Sequence, residues 1–225
     1  MTRTRFQFTL LFSLLGVLFF VPAMHSQSDA ANPGAATITY RRVFKGSSPE
    51  FIEIKIIEPG AATFDIRQLA DDADPTPFAV GPAVRRKIVE LAADLNNFAI
   101  TGLNVHKKIA NLGQKTFRYE RGAEVHEVSF NYTLNAPASQ LMQIFEGLAQ
   151  QQGDLVQLER SAKYDRLGVN DALREFESDL DRRLLPEPER LLPVLDQIAA
   201  DSRFVDIARD RARALAGRIR ASRDH

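Results

Sequence analysis

Between Lys115 and Gln152 the spacing of apolar residues changes from every second position to every third or fourth, and this constrains the local structure more tightly than any other stretch of the chain. Phe117 and Tyr119 alternate on one run, and His126, Val128, Phe130 and Tyr132 alternate on the next. Such alternation puts successive side chains on opposite faces of a strand. Arg121-Gly122 lies between the runs and supplies a glycine where a tight reversal needs positive φ. A two-residue Arg-Gly loop sets Phe117 opposite His126 and Tyr119 opposite Glu124, with both aromatics on the face of Val128, Phe130 and Tyr132. Asn135-Ala136-Pro137 then offers a cap-compatible residue with proline in the first turn. Leu141, Ile144, Phe145 and Leu148 follow at offsets 0, 3, 4 and 7. The stretch predicts a β-hairpin running into a helix that buries one side.

Three more alternating runs precede it. Thr37 to Phe44 has one aromatic face, Phe51 to Ile57 sets Ile52, Ile54 and Ile56 on one side, and Ala62, Phe64 and Ile66 alternate with Thr63, Asp65 and Arg67. Gly46-Ser47-Ser48-Pro49 and Glu58-Pro59-Gly60 are the turns between them. After a polar loop from Asp71 to Pro77, Gly81-Pro82 opens a helix striped by Val84, Ile88, Leu91, Ala92, Leu95 and Phe98. The order βββ-α-ββ-α predicts an α+β domain over 37–152, an antiparallel sheet of about five strands with helices on one face.

Composition changes after Gln152. Strand patterns cease, and residues 153–225 hold 14 basic against 15 acidic side chains. Leu155, Leu158 and Ala162 mark one helix, with Gly168 as its left-handed cap. Leu173, Phe176, Leu180 and Leu184 mark a second, stopped by Pro186-Glu187-Pro188. A third carries Leu191, Leu192, Leu195, Ile198 and Ala199. A fourth, capped by Asp201, carries Val205, Ala208, Ala212, Leu215, Ala216 and Ile219. These predict an all-α tail of about four helices arranged as helical hairpins. The pair from Leu191 to Ile219 resembles a single HEAT-type helical repeat, with Leu191-Leu192-Pro193 in its first helix and Arg209, Ala212 and Leu215 in its second. The spacing before Leu215 is one residue short of that pattern, and one repeat alone implies no solenoid.

The first residues read as an address. Arg3 and Arg5 precede sixteen uncharged residues, Phe6 to Val21, and Val21-Pro22-Ala23 or Ser28-Asp29-Ala30 offers a cleavage site. A signal peptide over 1–23, cut between 23 and 31, and a flexible lead-in over 24–36 are expected. The alternative is an uncut anchor, although sixteen residues fall short of the ~20 a span requires. The sequence has 29 basic and 29 acidic residues; loss of both arginines leaves 27 against 29, a net charge of −2. The mature protein is expected in the periplasm or secreted, without a membrane span after cleavage. Its neutrality gives no general attraction for nucleic acid.

Familiar chemistries are missing. The chain has no cysteine, which removes disulfides, thiol catalysis and cysteine–zinc sites together. His126-Glu127 invites comparison with the zincin helix motif, but the position three beyond Glu127 is Phe130 and the segment has strand periodicity. His106 sits beside Lys107-Lys108, whose charges oppose a metal. Asp71-Asp72-Ala73-Asp74 lacks the glycine and distal glutamate of a calcium loop. Asn131-Tyr132-Thr133 matches a glycosylation sequon. No phosphate loop, dinucleotide loop or nucleophile elbow is present, so neither metal nor cofactor is expected. The last helix is rich in arginine, and Arg209, Arg213, Arg218 and Arg220 form a candidate interaction surface, although basic residues near a helix C-terminus also complement its dipole.

The reading that follows is an exported, non-enzymatic protein-interaction module whose partner is another extracytoplasmic protein. The alternative is an extracytoplasmic hydrolase with a site assembled from His126, Glu124 and Glu127.

Overall fold

The computed structural model describes residues 34–105 and 108–223, so the expected signal peptide lies outside the described residues. Strands β1 (Thr37–Val43), β2 (Phe51–Ile57) and β3 (Ala61–Arg67) are followed by β4 (Thr76–Phe78) and helix α1 (Pro82–Asp94). Then come β5 (Gln114–Arg121), β6 (Glu124–Phe130) and the long helix α2 (Ala136–Tyr164). Helices α3 (Val169–Asp181), α4 (Leu192–Ala200) and α5 (Asp206–Arg223) complete the chain. The sheet order is β4-β3-β2-β1-β5-β6, with every neighbouring pair antiparallel. The class is α+β, as the alternation requires.

The sheet has six strands where the sequence suggested about five. Thr76 and Pro77, read as the end of a polar loop, form with Phe78 a strand that pairs with Ala62–Phe64. Phe78 packs edge-on against Phe64 at 5.7 Å, and an edge position tolerates Pro77, which has no N–H to donate.

The β5–β6 hairpin has a different register from the expected one. Phe117 faces Val128, Tyr119 faces His126 and Arg121 faces Glu124, so the loop is Gly122-Ala123. Gly122 takes the positive φ, 59°, at the first loop position rather than the second. The slip is two residues, so every side chain keeps its face. Tyr132 falls beyond the end of β6 and is exposed, not part of that face.

Phe117 is the centre of the core. Its ring lies 5.7 Å from Tyr40, 5.2 Å from Phe98, 5.3 Å from Phe130 and 6.4 Å from Phe145. The sheet contributes Ile38, Tyr40, Ile52, Ile54 and Ile56, and the helices return Ile88, Leu91, Leu95, Leu141, Phe145 and Leu148. Asn96, Asn97 and Phe98 all have positive φ in the turn after α1, which drives Phe98 inward. The opposite sheet face is charged: Arg41 bonds Glu53 at 2.6 Å, Lys55 lies 3.0 Å from Glu53 and Arg67 lies 3.0 Å from Asp65.

Helix α2 runs unbroken through Gln152, where composition changes, to Tyr164. One apolar cluster ends with Ala149 and the next begins with Leu158, so this helix serves both cores. Asn135 caps its start, accepting from the Ala138 N–H at 3.0 Å. Three details of the tail differ from expectation. Gly168 has φ −75° and stands before α3 as its N-cap, not as a left-handed stop. Leu184 lies past the end of α3, where Arg183 turns the chain at φ 55°, and Leu185 is buried instead. Asp201 ends α4, its N–H donating to the Gln197 carbonyl, and does not start α5, which begins only at Asp206; its Oδ1 accepts from the Arg203 N–H at 2.9 Å in the turn between them.

The segment after α3 straps the tail to the sheet half. Leu184 and Pro186 cross α2 at Gly147, where a Cβ would run into the Leu184 carbonyl oxygen and sit 2.9 Å from Pro186 Cδ. Glu187 is buried and accepts the Gly81 N–H at 2.7 Å, which satisfies an otherwise free donor at the start of α1. The Glu187 N–H donates to buried Gln151 at 2.9 Å.

Candidate binding groove

The polar residues of α2 form a stripe of their own. Gln140, Gln143, Glu146, Gln150, Asp154 and Gln157 recur every three or four positions, so they share one face of the helix. Three adjoining cavities follow that face. The first, about 310 Å³, is lined by Gln140, Gln143, Ile144, Arg183, Leu184 and Pro186. The second, about 480 Å³, shares Gln143, Arg183 and Leu184 with the first and adds Glu146, Gly147, Gln150 and Arg182. The third, about 650 Å³, shares Glu146 and Gln150 with the second and extends to Asp154 and Gln157, with Arg42, Ile52 and Glu175 across from α2. From Gln140 to Gln157 the groove runs roughly 26 Å at 1.5 Å per helical residue. That length accepts about eight residues of extended chain.

Charge changes along it. Arg183 lines the first two cavities and Arg182 joins it in the second, whereas Asp154 and Glu175 line only the largest, with Glu146 shared between the second and the largest. Arg42 is the cation of the largest cavity, and its Nη1 already donates to Glu146 Oε2 at 2.9 Å. The Tyr40 hydroxyl donates to the other Glu146 oxygen; burial and that carboxylate push the phenol well above its usual range. Asp154 is 7% exposed, and Gln150 Nε2 donates to its Oδ1 at 3.1 Å and to Asp179 at 2.7 Å. Asp154 Oδ2 has no hydrogen-bond partner among the described residues. Burial, reinforced by the charges of Asp179 and Glu175, pushes the Asp154 carboxyl up to about 7. Among the described residues no three histidine or acidic side chains converge as a metal site.

The residues picked out from sequence lie elsewhere. His126 stacks on Tyr119 at 6.4 Å, its Nδ1 lies 3.2 Å from the Asn97 carbonyl oxygen and 3.6 Å from Glu124. Glu127 sits on the opposite sheet face, where Arg118 reaches it at 3.2 Å, so the structure brings His126 to Glu124 but not to Glu127. Arg209 and Arg213 pair with Asp206 at 3.0 Å and Asp210 at 2.5 Å. Arg218 pairs with Glu177 and Asp181, and Arg220 with Asp196 at 2.6 Å. Each of these four guanidinium groups is compensated by a carboxylate of the same chain. Asn131, in the sequon, uses its side chain internally, accepting from Leu112 N–H at 2.7 Å and donating to the Ala110 carbonyl at 2.9 Å.

The groove residues escaped notice in the sequence because they come from strands β1, β2 and β3, the turn after β1, helices α2 and α3, and the strap that follows α3. The detectable signal was the polar stripe on α2, which continues past the point where its apolar stripe changes core. No family model matches the sequence, and no curated protein aligns with it.

Proposed function

We propose that the protein is an exported, non-enzymatic interaction module that holds an extended segment of another extracytoplasmic protein in the groove along α2. The observation that carries this reading is the continuity of the three cavities, which share lining residues and follow one polar helix face. A polar groove of this length suits a peptide backbone, since the side-chain amides of Gln140 and Gln143 both donate and accept. Packing of His126 against Tyr119 and the Asn97 carbonyl supports a structural role for that residue.

The test is site-specific photocrosslinking in the native compartment, with p-benzoylphenylalanine at Gln143 or Gln157 and a control at Thr116 on the charged sheet face. Crosslinks from both groove positions to one short segment of the same partner are expected. Crosslinks from Thr116 alone would place the contact on the sheet, and silence from every position would remove the reading.

A further inference from the structure

Resting on the groove reading, we propose that the bound segment carries a lysine or arginine whose cationic head seats among Asp154, Glu175 and Glu146, with its alkyl stem along Ile52 and Ile66. The largest cavity is lined by three carboxylates against the single guanidinium of Arg42, and that cation is already matched to Glu146 at 2.9 Å. A cationic ligand therefore meets uncompensated negative charge, whereas an anion would meet repulsion. A bare metal ion is the poorer occupant, because the acids do not converge on one point. An ammonium or guanidinium group can instead be shared among separated acceptors, with methylenes covering the apolar floor. Asp154 supplies the independent sign of a ligand: a side chain only 7% exposed, lining the cavity, with Oδ2 left without a partner among the described residues.

The site also predicts its own pH response. Asp154 faces Gln150, Gln157 and Glu146 from α2, Glu175 and Asp179 from α3, Arg42 from β1, and Ser48 and Pro49 from the turn after β1. Arg182 and Arg183 lie farther along the groove. With its carboxyl raised to about 7, Asp154 is mostly protonated at pH 6 and mostly ionised at pH 8. A cation favours the ionised form, so binding below pH 7 expels a proton from Asp154 to solvent. Affinity then rises about tenfold from pH 6 to pH 8 and levels off above that.

The experiment is an amide-resolved NMR titration of the full mature protein with three blocked amino acids: Nα-acetyl-lysine, norleucine and glutamate methylamides. The lysine probe is expected to shift the amides of Gln150, Gly153 and Gln157, with a Kd about tenfold lower at pH 8 than at pH 6. Asp154→Asn should abolish that pH dependence and weaken binding at pH 8 about tenfold, while its spectrum reports directly that the fold is kept. Glu175→Gln should weaken binding but retain the pH dependence. Equal binding of the norleucine or glutamate probe, or an unchanged pH response in Asp154→Asn, would overturn the inference. Groove crosslinks combined with a silent lysine titration would sink this inference alone; silence in both experiments would remove the groove reading as well.

Discussion

Two glycines in the interior of α2 should respond to alanine with opposite signs. Replacing glycine by alanine within a helix ordinarily stabilises by about 0.5–1 kcal/mol, because alanine loses less backbone freedom on folding. Gly153 has no atom within 4 Å of the added methyl group, so Gly153→Ala should show that gain undiminished. At Gly147 the methyl group would meet the Leu184 carbonyl oxygen and lie 2.9 and 3.0 Å from Pro186 ring carbons. A backbone carbonyl and a proline ring cannot rotate aside, so the strap must move. Overpacking of this kind costs about 1–3 kcal/mol, and displacement of Glu187 would loosen its bond to the Gly81 N–H, worth about another 1.5 kcal/mol to a charged acceptor. After the propensity gain is subtracted, Gly147→Ala should lose about 3 kcal/mol. For a domain of this size about 1 kcal/mol moves Tm by about 2–4 °C. Calorimetry should therefore show Gly153→Ala up by roughly 1–4 °C and Gly147→Ala down by roughly 6–12 °C. If both variants gained stability alike, the strap would not be packed against α2 as described.

Other perturbations follow from the same geometry. Phe117→Ala removes the ring that four others surround and should cost about 3–5 kcal/mol in urea unfolding; a loss below about 1 kcal/mol would deny it the central place. Glu187→Ala leaves the Gly81 N–H without its buried acceptor and should cost about 1–3 kcal/mol by the same assay, whereas a neutral result would show that water caps α1 equally well. Asp154 has a carboxyl raised in the fold from 3.8 to about 7, so the folded state holds the proton more tightly and stability falls as pH climbs through that window, then levels. Linkage gives about 4 kcal/mol for such a shift, reduced to about 2 kcal/mol because the cavity opens to water. Glu187, raised chiefly by burial, slopes the same way. Denaturation midpoints measured from pH 4 to pH 8 should decline in the wild type and decline less in Asp154→Asn; parallel curves would refute the assignment.

Much of the fold was legible because its strands are half-buried. Ile38 and Tyr40 on β1 and Ile52, Ile54 and Ile56 on β2 alternate with polar neighbours, and a period of two has one structural meaning when one face is covered. β4 was invisible because a strand of three residues containing Pro77 carries no period at all; it exists through tertiary packing of Phe78 on Phe64. The hairpin register was misplaced by two residues because both loops put Gly122 at the turn and both leave the same side chains inward. Only the positions of Gly122 in the turn and Phe117 beside Val128 separate them. Helix α2 was cut at Gln152 because its apolar stripe moves from one core to the other there, while backbone hydrogen bonding continues.

The site was less legible, for a geometric reason. His126 and Glu124 drew attention as chemistry-bearing residues close in sequence, and they are close in space, yet His126 stacks on Tyr119 and Glu124 is half exposed beside it. Arg218 and Arg220 drew attention as bare charges, and they are tied to Glu177, Asp181 and Asp196 across helix boundaries. Asp154 looked like one acid among many in a charged tail. Its burial depends on α3 lying beside α2, which no local pattern encodes.

The groove is tested most directly by mapping bound peptide. Octapeptides selected from a random library against the full chain should shift the amides of Gln143, Gly147, Gln150 and Gly153, leave Val125, Glu127 and Ser129 unmoved, and be enriched in lysine or arginine. Shifts confined to β6 or the charged sheet face, with α2 silent, would contradict the groove as the binding site.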